Sequence, residues 1–229
     1  MTELAGKHIL VTGATGGLGS RVVRRLLAAG AKVSLAGRDE VTLNALSPES
    51  ARYTVDLSVP GAGSALLGAA AVTPLDGIVV AHGAVAFGAA GELPNSVARA
   101  LTAINLDSVV EILGAAPAYL ADSAAAGRDP FILTISGVIA DMPTTGMAAY
   151  GAGKAGLKAY VTAASRELRR SGIRLLDARP GHTMTELSLH PLAGTAPAMA
   201  AGLDPEAVAT RLVQAIVDDE KDVPADAFA

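Results

Sequence analysis

Short apolar, β-branched runs alternate with amphipathic stretches along the whole chain, and no other feature restricts the fold as much. His8-Ile9-Leu10-Val11-Thr12 opens the series and reads as a strand buried on both faces. Glycines follow. Then Leu18, Val22, Val23, Leu26 and Leu27 recur at helical spacing, with Arg21, Arg24 and Arg25 between them. Gly30 stands where such a helix closes. Further strands are expected at Lys32 to Ala36, Arg52 to Leu57, Gly77 to Ala81, Phe131 to Ser136 and Arg174 to Ala178. Helices are expected at Glu40 to Leu46, Ala62 to Val72, Ser96 to Ser123 and Ala148 to Ser171. A last helix, Pro205 to Asp219, has Asp204 as its cap and proline in its first turn. Strands and helices in alternation mean βαβ units. Right-handed crossovers wind those units into an α/β, doubly wound parallel sheet with helices on both faces.

Composition narrows the function. The 229 residues suit one domain spanning the whole chain, 1–229, with no linker or repeat inside it. Net charge is −4, and the basic cluster Arg166, Arg169 and Arg170 reads as a solvated helix face. Aromatic residues are only 3% and Trp is absent, so a nucleic-acid partner is not expected. There is no cysteine, and the four histidines show no metal-ligand spacing, so no metal site is expected. The run from Gly77 to Gly91 is uncharged but shorter than the ~20 apolar residues of a membrane span. Met1 to Gly6 lacks a signal pattern, and a cytoplasmic protein is expected.

The strongest local motif is Thr12-Gly13-Ala14-Thr15-Gly16-Gly17-Leu18-Gly19, at the turn from first strand to first helix. Glycines there allow a tight turn and close approach to a pyrophosphate, which the helix N-terminus attracts. The second motif is Tyr150-Gly151-Ala152-Gly153-Lys154. Tyrosine and lysine four apart share one helix face. An ammonium beside the phenol favours the phenolate, as does the positive ring of an oxidised nicotinamide. The phenol is thereby fitted to exchange a proton with substrate.

Taken together, the Gly13, Gly17, Gly19 spacing and the Tyr150/Lys154 pair resemble the short-chain dehydrogenase/reductase family, from the first strand to about Leu189. The resemblance implies a Rossmann-like fold that binds a nicotinamide dinucleotide at Gly13, Thr15, Gly17, Leu18 and Gly19. It implies a general acid/base role for Tyr150, and Lys154 on the nicotinamide ribose. Asp56-Leu57 matches the family's adenine-contacting pair, with a turn or cap acid as the plain alternative for Asp56. Asn105 matches the helix asparagine that supports a water chain, or is an interior polar residue bonded to backbone. Arg179-Pro180-Gly181-His182-Thr183-Met184-Thr185 resembles the segment that holds the nicotinamide carboxamide, through Thr183 backbone and the Thr185 side chain. Relatives have a longer last strand; here the seventh is expected to be short or missing, leaving six.

Three departures bear on function. Gly37 stands where NAD-preferring relatives carry an acid, and Arg38 follows, so NADP(H) is favoured over NAD(H); surface pairing of Arg38 with Asp39 or Glu40 is the alternative. Val80-Ala81-His82-Gly83 replaces an Asn-Asn-Ala-Gly segment, and only Gly83 matches. The expected active-site serine, thirteen residues before the tyrosine, is Gly137, with Ser136 directly before it. A regular strand turns Ser136 away, whereas a bend at Gly137 lets Ser136 or a backbone N–H stabilise the oxyanion; Ser136 is the favoured donor.

The resulting expectation is an oxidoreductase interconverting a carbonyl and an alcohol on a small or medium organic substrate. A substrate-side loop and helix region is expected at 182–203. A homodimer or homotetramer is expected from the apolar surface of the two longest helices. A catalytically silent NADP-binding sensor or scaffold is the alternative.

Overall fold

A computed structural model of the chain describes residues 1–198 and 201–229. Its sheet is parallel, with seven strands in the order β3-β2-β1-β4-β5-β6-β7. The strands are β1 (His8–Thr12), β2 (Lys32–Gly37), β3 (Ala51–Thr54), β4 (Gly77–Val80), β5 (Phe131–Ile135), β6 (Arg174–Ala178) and β7 (Asp222–Val223). The seventh strand therefore exists, two residues long, with Asp177 opposite Asp222 and Ala178 opposite Val223. β3 ends sooner than its sequence pattern suggests, because Asp56 accepts hydrogen bonds from the amide and hydroxyl of Ser58 and turns the chain.

Helices cover both faces: α1 (Gly19–Ala28), α2 (Glu40–Leu46), α3 (Ala62–Ala70), α4 (Asn95–Thr102), α5 (Ser108–Ala125), α6 (Ala148–Leu168) and α7 (Pro205–Val217). On one face Ile9, Val11, Leu133 and Leu176 meet Val22, Leu26, Leu212 and Ile216 of α1 and α7. On the other, Leu10, Ile78, Ile132 and Leu175 meet Leu67, Ile112, Leu113, Leu157 and Val161 of α3, α5 and α6. Caps fall where side-chain chemistry places them. Asp39 accepts from the Thr42 amide, and Asp204 from those of Glu206 and Ala207. Gly30, at φ +81°, ends the turn after α1.

The single helix expected over Ser96 to Ser123 is interrupted. A π-helical turn, Ala103–Asp107, separates α4 from α5 and carries Asn105 inward. The whole helical run, Asn95–Ala125, is long and apolar enough to cross a membrane, but Val109, Ile112, Leu113, Ala116 and Leu120 bury one face of it against the sheet. It is a core helix.

Candidate functional site

The parallel strands all deliver their C-terminal ends to one edge, where β1 and β4 lie side by side at the centre. Ligands of doubly wound sheets sit at this crevice. The glycine turn leaves β1 there. Gly13 has φ +63°, and a Cβ on it would stand 2.6 Å from the His82 backbone. A Cβ on Gly19 would stand 2.1 Å from the Gly13 carbonyl oxygen. One on Gly17 would meet the Thr185 side chain at 2.5 Å. Helix α1 starts without a side-chain cap or an acid in its first turn. Among the described residues nothing accepts from the amides of Thr15, Gly17 or Leu18. These donors and the positive helix end fit a pyrophosphate. The dinucleotide expected from the sequence therefore suits the residues present.

Gly37 lies beside this turn, with its missing Cβ 3.5 Å from the Thr15 hydroxyl. Arg38 is exposed and makes no ion pair among the described residues, whereas Asp39 is engaged as the α2 cap. The surface pairing offered as an alternative is thus not observed. Asp56, whose carboxyl is held below its usual range by the Ser58 hydroxyl and amide, faces the Arg38 charge. It is a turn acid with a carboxylate oxygen left over. Leu57 is buried in the core.

A strap after β4, residues 81–84, borders the glycine turn on one side and the Tyr150/Lys154 pair on the other. His82 is wired into a one-way chain: Ser108 donates to the Ile104 carbonyl at 2.9 Å, so imidazole Nε2–H donates to Ser108 (2.8 Å) and Nδ1 accepts from Thr12 (2.7 Å). Burial, and then the Lys154 charge, push the imidazole down to about 3. The unfolded chain takes up that proton near pH 6.5 and the folded one does not. Neutral His82 therefore contributes stability above pH 6.5 that is lost as pH falls toward 3. We expect wild-type stability to fall between pH 6 and 4 more steeply than that of His82→Gln, by up to about 1.4 kcal/mol per pH unit. Parallel slopes in urea titrations of the two proteins would contradict this.

Gly83 is required by its neighbours, since a Cβ there would stand 2.9 Å from Asn105 Oδ1 and 3.8 Å from Lys154 Nζ. Asn105 Nδ2 donates to Ala84 O (2.8 Å) and Leu101 O (3.0 Å), and its Oδ1 accepts from the Ala84 amide (3.2 Å). Asn105 thereby fastens the strap to the π turn. π turns recur at functional sites. Lys154, on α6, is buried; its ammonium donates to the Ile135 carbonyl at 2.8 Å and lies 6.0 Å from the Tyr150 ring centre. Burial pushes the phenol up to about 12 and the ammonium down to about 8, with the negative charge of Asp177 opposing the second shift.

Ser136 is not an oxyanion donor as the structure stands. It is fully buried, and its single hydroxyl proton is directed at Asp177 Oδ2. The chain does bend at Gly137, which adopts φ +76°, a conformation favourable only to glycine. The bend leaves Ser136 pointing down beneath α6, not out into the crevice. Asp177 itself was missed by sequence reasoning. An acid in the middle of the apolar run Arg174 to Ala178 was the available signal.

After β6, Pro180 accepts from the Val138 amide at 3.0 Å, and Gly181 leads into Thr183, whose hydroxyl donates back to Gly181 O at 3.0 Å. Thr183 bridges to Leu203, and Thr185 rests on Gly17, which joins this segment to the glycine turn. The region 182–203 holds a short 3-10 turn, Glu186–Ser188, and is pinned where Leu192 N donates to Val85 O (2.8 Å) and Phe87 N to Ala193 O (2.9 Å). The expected region also includes Met199 and Ala200, which lie outside the described residues. No metal-binding group of His, Asp or Glu occurs among the described residues.

Comparison with known proteins agrees with this construction. The short chain dehydrogenase family model matches residues 7–191. The 2,3-dihydro-2,3-dihydroxybenzoate dehydrogenase of Escherichia coli (strain K12) is 30% identical, over 81% of this chain and 73% of that protein. A short chain dehydrogenase from Burkholderia cenocepacia J2315, solved in complex with NADP, superposes with a TM-score of 0.83 at 21% identity, over 99% of this chain and 91% of that one. A 3-oxoacyl (acyl-carrier-protein) reductase from Agrobacterium tumefaciens C58, with NADP bound, superposes with a TM-score of 0.73 at 26% identity, over 80% of this chain and 72% of that one. The chain belongs to the short chain dehydrogenase family.

Proposed function

We propose that this chain is an NADP(H)-dependent oxidoreductase that interconverts a carbonyl and an alcohol on a small or medium organic molecule. The observation that carries the reading is the convergence of the glycine turn, the Gly83 strap and the Tyr150/Lys154 pair on one end of the sheet. When bound, the nicotinamide supplies or accepts the hydride. Tyr150 gives its phenolic proton to the nascent alkoxide in reduction and takes it back in oxidation. Its high proton affinity suits the first direction. Lys154 holds the nicotinamide ribose and, as a cation, eases formation of the phenolate. Thr183 and Thr185 would hold the carboxamide, with Pro180 and Gly181 in the same segment. Asp56, with one carboxylate oxygen free, and the backbone of the otherwise buried Leu57 would hold the adenine end.

The substrate side is apolar. Of the nine exposed large hydrophobic residues among those described, Met142, Met184, Leu187, Leu189 and Leu192 stand on the two segments flanking Tyr150. This supports a hydrophobic or amphipathic carbonyl compound over a sugar. NADPH consumption across a panel of ketones, aldehydes and quinones tests the reading. NADPH binding without turnover on any of them favours the silent sensor.

Arg38 sets the cofactor preference in this reading, with the Thr15 hydroxyl beside the neighbouring Gly37. A guanidinium–phosphate contact is worth roughly 1.5–3 kcal/mol. Arg38→Ala is therefore expected to weaken NADPH binding roughly 10- to 100-fold and to leave NADH almost unchanged. Tighter binding of NADH than NADPH by the wild-type protein would refute it.

A further inference from the structure

Asp177 sits in the hydrogen-bonded ladder between β5 and β6, directly opposite Thr134, and is almost completely buried. A carboxylate in that position is costly unless it is hydrogen-bonded and charge-compensated. Its hydrogen bonds are complete. Thr134 Oγ1 donates to Oδ1 at 2.7 Å, the Ser136 amide donates to the same oxygen at 3.2 Å, and the Ser136 hydroxyl donates to Oδ2. Arg179 Nη1 lies 3.5 Å from Oδ2. Thr134 and Ser136 are two apart on one strand end and so face the same side. That side is the one covered by α6, where Ile132 and Leu175 pack on Leu157 and Val161. Lys154 hangs from α6 onto the same strand end, and the carbonyl it binds is that of Ile135, between the two hydroxyl residues.

We propose that Asp177 is a positioning residue for Lys154: its carboxylate, fixed by Thr134, Ser136 and Arg179, is the counter-charge that keeps the buried ammonium protonated and anchored at the end of β5. This rests on the reading of Lys154 as the partner of Tyr150. It gives Ser136 a role in place of the one expected from its sequence position, as the group that aims the carboxylate. Among the described residues no carboxylate lies within ion-pair distance of Lys154 Nζ, so the compensation acts through space in a medium of low polarity, where a charge is felt at longer range than in water. Burial lowers the proton affinity of the ammonium and Asp177 raises it. Burial lifts the Asp177 carboxyl above its usual range, while Ser136, Thr134, Arg179 and Lys154 oppose that shift.

The titratable groups facing Lys154 are Tyr150 on its own helix, His82 after β4 and Asp177 on β6. His82 is neutral above pH 6.5 and Tyr150 is protonated up to about 12, so Asp177 is the one of the three that can place a negative charge near the ammonium at neutral pH. Behind it the charges alternate to the surface. Arg179 grips Asp222 of β7 through two hydrogen bonds of 2.6 and 2.9 Å and lies 2.8 Å from Asp141, which pairs with Lys158, one turn along α6 from Lys154.

The test uses the full chain without cofactor, with its lysine side-chain nitrogens labelled with 15N. The Lys154 resonance is identified by its loss in Lys154→Met. Asp177→Asn is expected to lower the Lys154 titration midpoint by about one pH unit, a roughly tenfold loss of proton affinity. Asp177→Glu, which keeps the charge, is expected to recover most of that shift. An unmoved midpoint in folded Asp177→Asn overturns the proposal. If that variant does not fold, the Thr134→Val/Ser136→Ala double variant, which removes the donors and drives the carboxyl toward its neutral form, must shift the midpoint in the same direction; no shift overturns the proposal. NADPH turnover measured alongside separates the two readings. A lysine moved by Asp177→Asn, together with no turnover by the wild-type protein, supports the positioning role and counts against the oxidoreductase.

Discussion

Tyr150→Phe is expected to lower turnover about 10²- to 10⁴-fold on any accepted carbonyl, the range supplied by a positioned general acid. In energy this is roughly 3 to 5 kcal/mol of transition-state stabilisation. The ring remains, so the packing of α6 on the sheet is preserved. Lys154 keeps its bond to Ile135 O, since that contact does not involve the phenol. NADPH affinity is accordingly expected to change less than threefold, roughly, because the phenol acts on substrate and not on the phosphate cradle. The fall should appear in kcat and kcat/KM alike. A variant that keeps more than about a tenth of wild-type turnover would remove the phenol from the proton transfer.

Gly19→Ala carries the second large effect. The added methyl would stand 2.1 Å from the Gly13 carbonyl oxygen, and backbone lies on both sides of that contact, so no flexible side chain can yield. Overpacking of this kind costs about 1–3 kcal/mol, or a Tm loss of roughly 3–10 °C for a chain of this size. The relief available is to open the turn, which moves the free amides of Gly17 and Leu18 off the phosphate. NADPH binding is expected to weaken by more than about 100-fold, the loss of two charge-assisted hydrogen bonds. Gly16→Ala is the control. Its methyl would stand 3.2 Å from the same oxygen, a contact that a few tenths of an ångström relieve. Equal affinities in the two variants, measured by cofactor fluorescence, would show that close packing of the turn is not what holds the dinucleotide.

The parts of this structure that were legible in sequence are those fixed by neighbours along the chain. The β1–glycine–α1 turn is one: a buried run, a set of glycines and an amphipathic helix determine each other locally. The Asp204 cap and the Gly30 stop are others, because each answers to backbone donors or φ angles within four residues, whereas the Asp39 cap of α2 emerged only in the structure. The Tyr150/Lys154 pair was visible through its helical spacing together with its distance from the glycine turn and the strand just before it. What was hidden depends on register between strands. That Ser136 points at Asp177 follows from the pairing of Thr134 with Asp177 across β5 and β6, forty-odd residues apart. The π turn at Ala103–Asp107 was hidden for a related reason. The apolar pattern runs through it without a break, and the turn is held by bonds from Asn105 to the strap after β4. His82 reads in sequence as a satisfied structural residue in an apolar run, but what satisfies it was hidden. Its partners, Thr12 and Ser108, come from a strand and a helix far away in sequence. The end of β3 at Thr54 is the one local miss, where the Asp56–Ser58 turn overrode the strand pattern.

The same division shapes the chemistry. The family's serine position is Gly137, and the nearest hydroxyl is committed to a buried acid. In the proposed reading, substrate orientation at the oxygen therefore falls mainly on Tyr150, and the electrostatics of the crevice on Lys154 and the charges behind it. This makes the phenol's contribution larger, not smaller, than in a site where two hydroxyls share the substrate oxygen.

Transfer of label tests the central claim most directly. With NADPH carrying deuterium at both hydrogens of nicotinamide C4, an apolar ketone or aldehyde turned over by this protein should yield an alcohol with one deuterium on the former carbonyl carbon, and Tyr150→Phe should bind the cofactor yet yield almost none. Product formation that leaves deuterium out of that carbon, or equal labelling by both proteins, would contradict the account.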